Sequence, residues 1–261
     1  MSVIATNEWI RTNGHRPIHI CEKLAEYFSD ASATDIHQHL IAHGMYHQPT
    51  KQNDWLIKNE EEKNVWTIIQ KEEILLKNKW KGPDIPIFIL PTDPFNRRLR
   101  REHRGKSGLA FHDKLFLFIS TEQEVKEIKA LFTHEYNHVC RLANDEKSEE
   151  DYTLIDTMVL EGLAEYAVFR RFGKSYAASW ISYYSTKQLE RLWKTLILPN
   201  SELPQEYPKH EAILYGLRMY PRMIGYCVGY YLVHNYMKTT DLSFIEVLKL
   251  PAKQIAQIDD S

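Results

Sequence analysis

The chain has 261 residues, 43% of them apolar, which is enough to bury one large core or two modest ones. Its formal net charge of −2 excludes a global electrostatic pull toward nucleic acid or an anionic membrane. Cys21, Cys140 and Cys227 are far apart and odd in number, so they make no disulfide framework and fit a reducing cytosol. The N-terminus carries no basic-then-apolar signal segment, and no run of about 18 apolar residues occurs. The expectation is a cytoplasmic protein with no membrane span.

Residues 1–82 read as a mainly helical N-terminal region, with Trp55, Trp66, Ile68, Ile69, Ile74 and Leu75 marking apolar faces among many charges. His37, His39, His43 and His47 cluster here. The i, i+4, i+8 spacing of His39, His43 and His47 makes a second metal site one reading. Gly44 and Pro49 should end that helix and take His47 off the stripe, so hydrogen-bonded or solvated histidines are the default. Gly82-Pro83 marks a boundary, and residues 83–261 form the second domain.

Strands are expected within residues 85–119. Ile85 to Leu90 is one, and Gly108 to Phe111 pairs with Leu115 to Ile119 across a turn at His112-Asp113-Lys114. Gly105, Ser107 and Gly108 would leave backbone open to an extended peptide, a form of strand addition. An ordinary hairpin is the equally simple alternative. Arg97, Arg98, Arg100, Arg101, Arg104 and Lys106 form a basic run. It has little of the aromatic interleaving of a nucleic-acid patch and reads as a solvated loop, or as a basic rim that favours acidic peptides or a C-terminal carboxylate.

The next segment, 121–142, is the most informative. Thr121-Glu122-Gln123-Glu124 has the form of a capping box, and Val125, Ile128, Leu131, Phe132 and Val139 recur at helical spacing. On this helix lies His134-Glu135-Tyr136-Asn137-His138. Residues four apart share a helix face, so the two imidazoles can hold one tetrahedral zinc ion. Glu135 sits about 100° round the helix, where it can reach a water on the metal as general base. The polar run 144–151 then reads as a loop. A second apolar-periodic helix spans 153–172, with Gly173 as its C-terminal cap. It contains Glu161-Gly162-Leu163-Ala164-Glu165. Glu161 can complete a His-His-Glu site, and Gly162 and Ala164 allow close helix approach. Glu165 shares the face of Glu161 and is either an alternative ligand or an acceptor for a ligating imidazole. The plainer reading makes both surface carboxylates.

Three blocks carry a resemblance. They are Thr133 to Arg141, Leu160 to Tyr166, and Gly225-Tyr226-Cys227-Val228-Gly229-Tyr230. The chain resembles the gluzincin branch of the zincin metallopeptidases over roughly residues 85–255. More closely, it resembles an uncharacterised bacterial family described as predicted zinc-dependent proteases of the YjaZ type. The resemblance implies an α+β, mostly helical zincin-like fold with a small antiparallel or mixed sheet before the H-E-x-x-H helix. It also implies one Zn²⁺ held by His134, His138 and Glu161, and peptide or protein substrates rather than nucleic acid. In gluzincins a Tyr or His on a later helix stabilises the oxyanion. Tyr226 is the first choice here, with Tyr220, Tyr230 and His234 as alternatives. A reading of another class keeps the fold as a non-catalytic binding or regulatory module.

Overall fold

A computed structural model describes residues 2–49, 64–97, 99, 106–120, 122–145 and 147–258. The architecture is a mostly helical α+β fold with one small mixed sheet. The chain divides into two compact units, Met1–Val139 and Cys140–Ser261.

In the first unit three helices, α1 (Thr6–Asn13), α2 (Pro17–Leu24) and α3 (Ala33–Ala42), precede a longer α4 (Val65–Trp80). Ser32 and Asp35 close a capping box at the start of α3, and Gly44, at φ 121, follows its end as expected. The buried face of α4 is Val65, Trp66, Ile69, Glu72, Glu73, Leu76 and Trp80. Ile74 and Leu75, expected on an apolar face, are instead 52% and 49% exposed. The cause is that Glu72 and Glu73 occupy the inward positions, Glu72 paired with Lys129 at 2.8 Å and Glu73 bonded by Ser2 and Gln70. Trp55 lies outside the described residues. The helix stops where Lys81 turns into the left-handed region just before Gly82-Pro83.

The sheet has the order β1–β3–β2, from Ile87–Pro91, Leu115–Ile119 and Ser107–Ala110. The unbroken apolar runs of β1 and β3 are buried along their whole length, as burial on both faces requires. They pair in parallel, with Ile87 opposite Leu115, while β2 runs antiparallel to β3 and is half-exposed along its length. Residues 2–4 cover part of the far side of β1 through bonds with Ile87, and Thr6 Oγ1 donates to the Ile89 carbonyl.

Helix α5 (Val125–Leu142) follows the sheet. Thr121, the expected cap, lies outside the described residues. The first turn is closed by the Glu127 carboxylate, which accepts from the Glu124 N–H at 3.0 Å. Val125, at the solvent-facing start, is 39% exposed, whereas Ile128, Leu131, Phe132 and Val139 form the buried stripe. Tyr136 locks the helix in the first unit: its ring stacks on Phe132 and Trp80, and its hydroxyl donates to the Pro83 carbonyl.

In the second unit, α6 (Leu154–Phe172) begins where the Asp156 carboxylate accepts from both the N–H and the hydroxyl of Thr153, and ends at Gly173 with φ 79. After α7 (Thr186–Leu192) and α8 (Pro208–Tyr215), α9 (Ile224–Thr239) crosses α6 at close range. The crossing is glycine on glycine. A Cβ on Gly162 would lie 2.5 Å from the Gly229 carbonyl, and one on Gly229 would lie 2.0 Å from the Met158 oxygen. Two short helices, α10 (Phe244–Val247) and α11 (Ala252–Ile255), complete the unit. The buried Arg141 guanidinium donates to the carbonyls of Leu248 and Leu250 between them. Among the described residues, no helix is long and apolar enough to cross a membrane.

Candidate metal centre

The i, i+4 spacing on α5 brings the His134 and His138 side chains together, with Nε2 to Nε2 3.0 Å and the rings edge to face at right angles. Two nitrogens bound to zinc at about 2.0–2.1 Å in a tetrahedron stand about 3.3 Å apart, so the pair matches the edge of such a polyhedron. A carboxylate oxygen of Glu161 joins them: the three ligand atoms all lie within 4.8 Å of one another. Among the described residues, no other group of three His, Cys, Asp or Glu meets that criterion. Two neutral imidazoles and one carboxylate are the donor set of zinc sites that keep a fourth position open, so the residues present fit the ion.

The His37–His47 cluster does not converge in this way. His43 Nδ1 bonds the His39 carbonyl at 2.8 Å, His47 Nδ1 bonds Asp93 at 3.2 Å, and burial pushes His37 and His39 below the ordinary imidazole value. Most of the basic run falls on residues outside those described; Lys106 donates to the Glu127 carbonyl at 3.4 Å.

Glu135 projects from α5 onto the edge strand. It is only 8% exposed, and its carboxyl group lies against the backbone of Gly108. Glu165, one turn beyond Glu161, is buried, and its Oε1 accepts from the Ala178 N–H at 2.5 Å. It thereby ties the segment after α6 to that helix. Tyr226 stands near the start of α9 between Trp180, 5.3 Å away edge-on, and Tyr215 at 5.5 Å. Further along α9, Tyr230 stacks on His234, and His234 also meets Tyr166 and Phe169. Burial, with Glu165 and Tyr166 nearby, pushes the Tyr230 phenol up to about 12. Burial, with Lys238, lowers His234. Tyr220 lies in the turn before α9.

Trp180, whose ring meets Tyr226, is a neighbour that sequence reasoning missed. It sits in a 3₁₀ turn, Ser179–Ser182, where no periodicity singles it out. It is buried, and its carbonyl accepts from the Cys227 thiol at 3.1 Å, so it braces the first turn of α9. Cys227 is itself pushed up to about 12 by burial, the mark of a small hydrophobe rather than a thiolate ligand.

The donor set suits zinc, and comparison with known proteins places the chain in a family. Residues 65–257 match the family described as "Predicted Zn-dependent protease (DUF2268)", and the chain belongs to that family. It is 42% identical over 260 residues to the Bacillus subtilis strain 168 protein described as "Uncharacterized protein YjaZ", covering 97% of each chain. No solved structure matches it.

Proposed function

We propose that this protein is a cytoplasmic zinc-dependent peptidase of the gluzincin type, with His134, His138 and Glu161 as the ligands of one Zn²⁺. The observation that carries the reading is the convergence of two imidazole nitrogens and a carboxylate oxygen within 4.8 Å, with Glu135 next to His134 on the same helix. Membership of a family of predicted zinc-dependent proteases supports it. Zinc supplies Lewis acidity at such a site, activating water and polarising a carbonyl.

The chain's own residues supply the rest. Glu135 takes a proton from the attacking water and hands it to the leaving amine nitrogen. Its position against β2 sets it beside a half-exposed edge strand, on which an extended peptide can lie by strand addition. Tyr226 donates to the oxyanion, and its clamp between Trp180 and Tyr215 holds the phenol in one orientation. Glu165 keeps the Ala178–Trp180 turn in place behind it.

The test is elemental analysis and peptide turnover side by side for wild type, Glu135→Gln and His138→Ala. Wild type and Glu135→Gln should each hold about one zinc, and His138→Ala none. Only wild type should cleave a mixed peptide library. Zinc retention in His138→Ala would refute the ligand assignment, and full turnover in Glu135→Gln would refute the role of Glu135. Zinc in wild type without cleavage of any peptide would move the weight to a binding module.

A further inference from the structure

Gly108 occupies an interior position of β2, opposite Leu117 in the antiparallel ladder. Its φ is outside the left-handed region, so the backbone does not call for glycine there. Glycine inside a strand forfeits side-chain packing and is harder to order. Its presence needs another cause, and that cause is space. A Cβ on Gly108 would stand 2.3 Å from Cγ and from Cδ of Glu135, and 2.5 Å from its Oε1. Carbon atoms in contact normally sit about 3.5–4.0 Å apart, so a methyl group would have to push the carboxyl away by more than about 1 Å.

The nearest obstructing atoms all belong to the Glu135 side chain beyond Cβ, and none is main chain. The flexible end would give way before the strand does. The Glu135 Cα has no such freedom, because the adjacent Tyr136 is stacked on Phe132 and Trp80 and bonded to the Pro83 carbonyl. We propose that Gly108 is a positioning residue for Glu135: the missing Cβ on the edge strand sets where that carboxylate stands. The catalytic consequence rests on the reading of Glu135 as general base. It makes β2 the reference for the base, so that strand and proton acceptor keep one register.

The experiment is Gly108→Ala in the full-length chain. Zinc content should stay at the wild-type level, and kcat should fall about 100-fold, the cost of about 1 Å of misplacement. KM should change much less. In a crystal structure of the metal-free variant, the Glu135 carboxyl should have moved by more than about 1 Å with β2 in place. Glu135→Ala removes the three nearest obstructing atoms, so adding Gly108→Ala to it should not lower the melting temperature further. Unchanged kcat, or an unmoved carboxyl with a displaced strand, overturns the proposal. Should Gly108→Ala fail to fold, the pair Gly108→Ala with Glu135→Ala, which lacks Cγ, Cδ and Oε1, is expected to fold, and its failure also overturns it. If zinc-loaded wild type cleaves no peptide, the peptidase reading fails by itself. The crystal structure then still decides the contact: a displaced carboxyl upholds it, and a displaced strand does not.

Discussion

Gly229→Ala tests the α6–α9 crossing by the sign of its effect. In an isolated helix the change is favourable, because alanine is the better helix former by about 1 kcal/mol. Here the added Cβ would stand 2.0 Å from the Met158 oxygen, 2.7 Å from its carbonyl carbon and 3.2 Å from its Cα. A carbon normally meets a carbonyl oxygen at about 3.3 Å or more, so the helices must part by about 1.3 Å. These are backbone atoms, and no rotamer change relieves them. Overpacking of this kind costs about 1–3 kcal/mol, and rigid obstacles put it at the upper end. Setting about 3 against about 1 leaves a net loss of about 2 kcal/mol, or about 4–8 °C in melting temperature for a chain of this size. Thermal unfolding of the metal-free protein, followed by circular dichroism, reads it directly. Because Glu161 precedes Gly162 at the same crossing, zinc affinity should weaken as well. A rise in melting temperature would show that the helices do not approach as closely as described, and the reasoning would fail.

Arg141→Ala should cost about 3 kcal/mol, because it strips the donor from two carbonyls, Leu248 and Leu250, at about 1–3 kcal/mol for each buried group left unmet. An unchanged urea midpoint would refute that bonding. Glu165→Ala should loosen the segment around Ala178, read as faster amide exchange there, while Glu165→Gln keeps an acceptor and should change little. His210 is buried, and burial lowers its pKa below the ordinary 6.5. The unfolded chain therefore binds the proton more readily than the folded one, and stability should fall as pH drops below about 6.5. Melting curves of metal-free wild type and His210→Gln at stepped pH should show a shallower fall in the variant; parallel curves would remove His210 as a cause. Zinc at about 100 times its dissociation constant should raise stability by about 2.7 kcal/mol, and a chelator should reverse it.

The parts of this protein that could be read from its sequence are those written as local periodicities. Helix α5 was legible because its apolar stripe and its histidine spacing share one period. Its start was not, since Gln123 and Glu127 reach back to the N–H groups of Ser120 and Glu124 and compete with the Thr121 signal. The apolar runs of β1 and β3 announced buried strands, but their parallel pairing depends on a crossover that no short window contains. Ile74 and Leu75 misled because the inward face of α4 holds two glutamates whose partners come from elsewhere in the chain. The same limit applies to the candidate site, with one instructive exception. Gly108, Gly162 and Gly229 all lie inside regular elements without a left-handed φ. A glycine in such a place has no conformational excuse, so it marks an approach by something else. The sequence therefore contained the fact of these close approaches, while their partners, Glu135 for the strand and the facing helix for Gly162 and Gly229, needed three dimensions. All three fall on elements that carry or brace the candidate site residues. A site assembled from separate elements requires this, because backbones must come near enough for short side chains to be held in place.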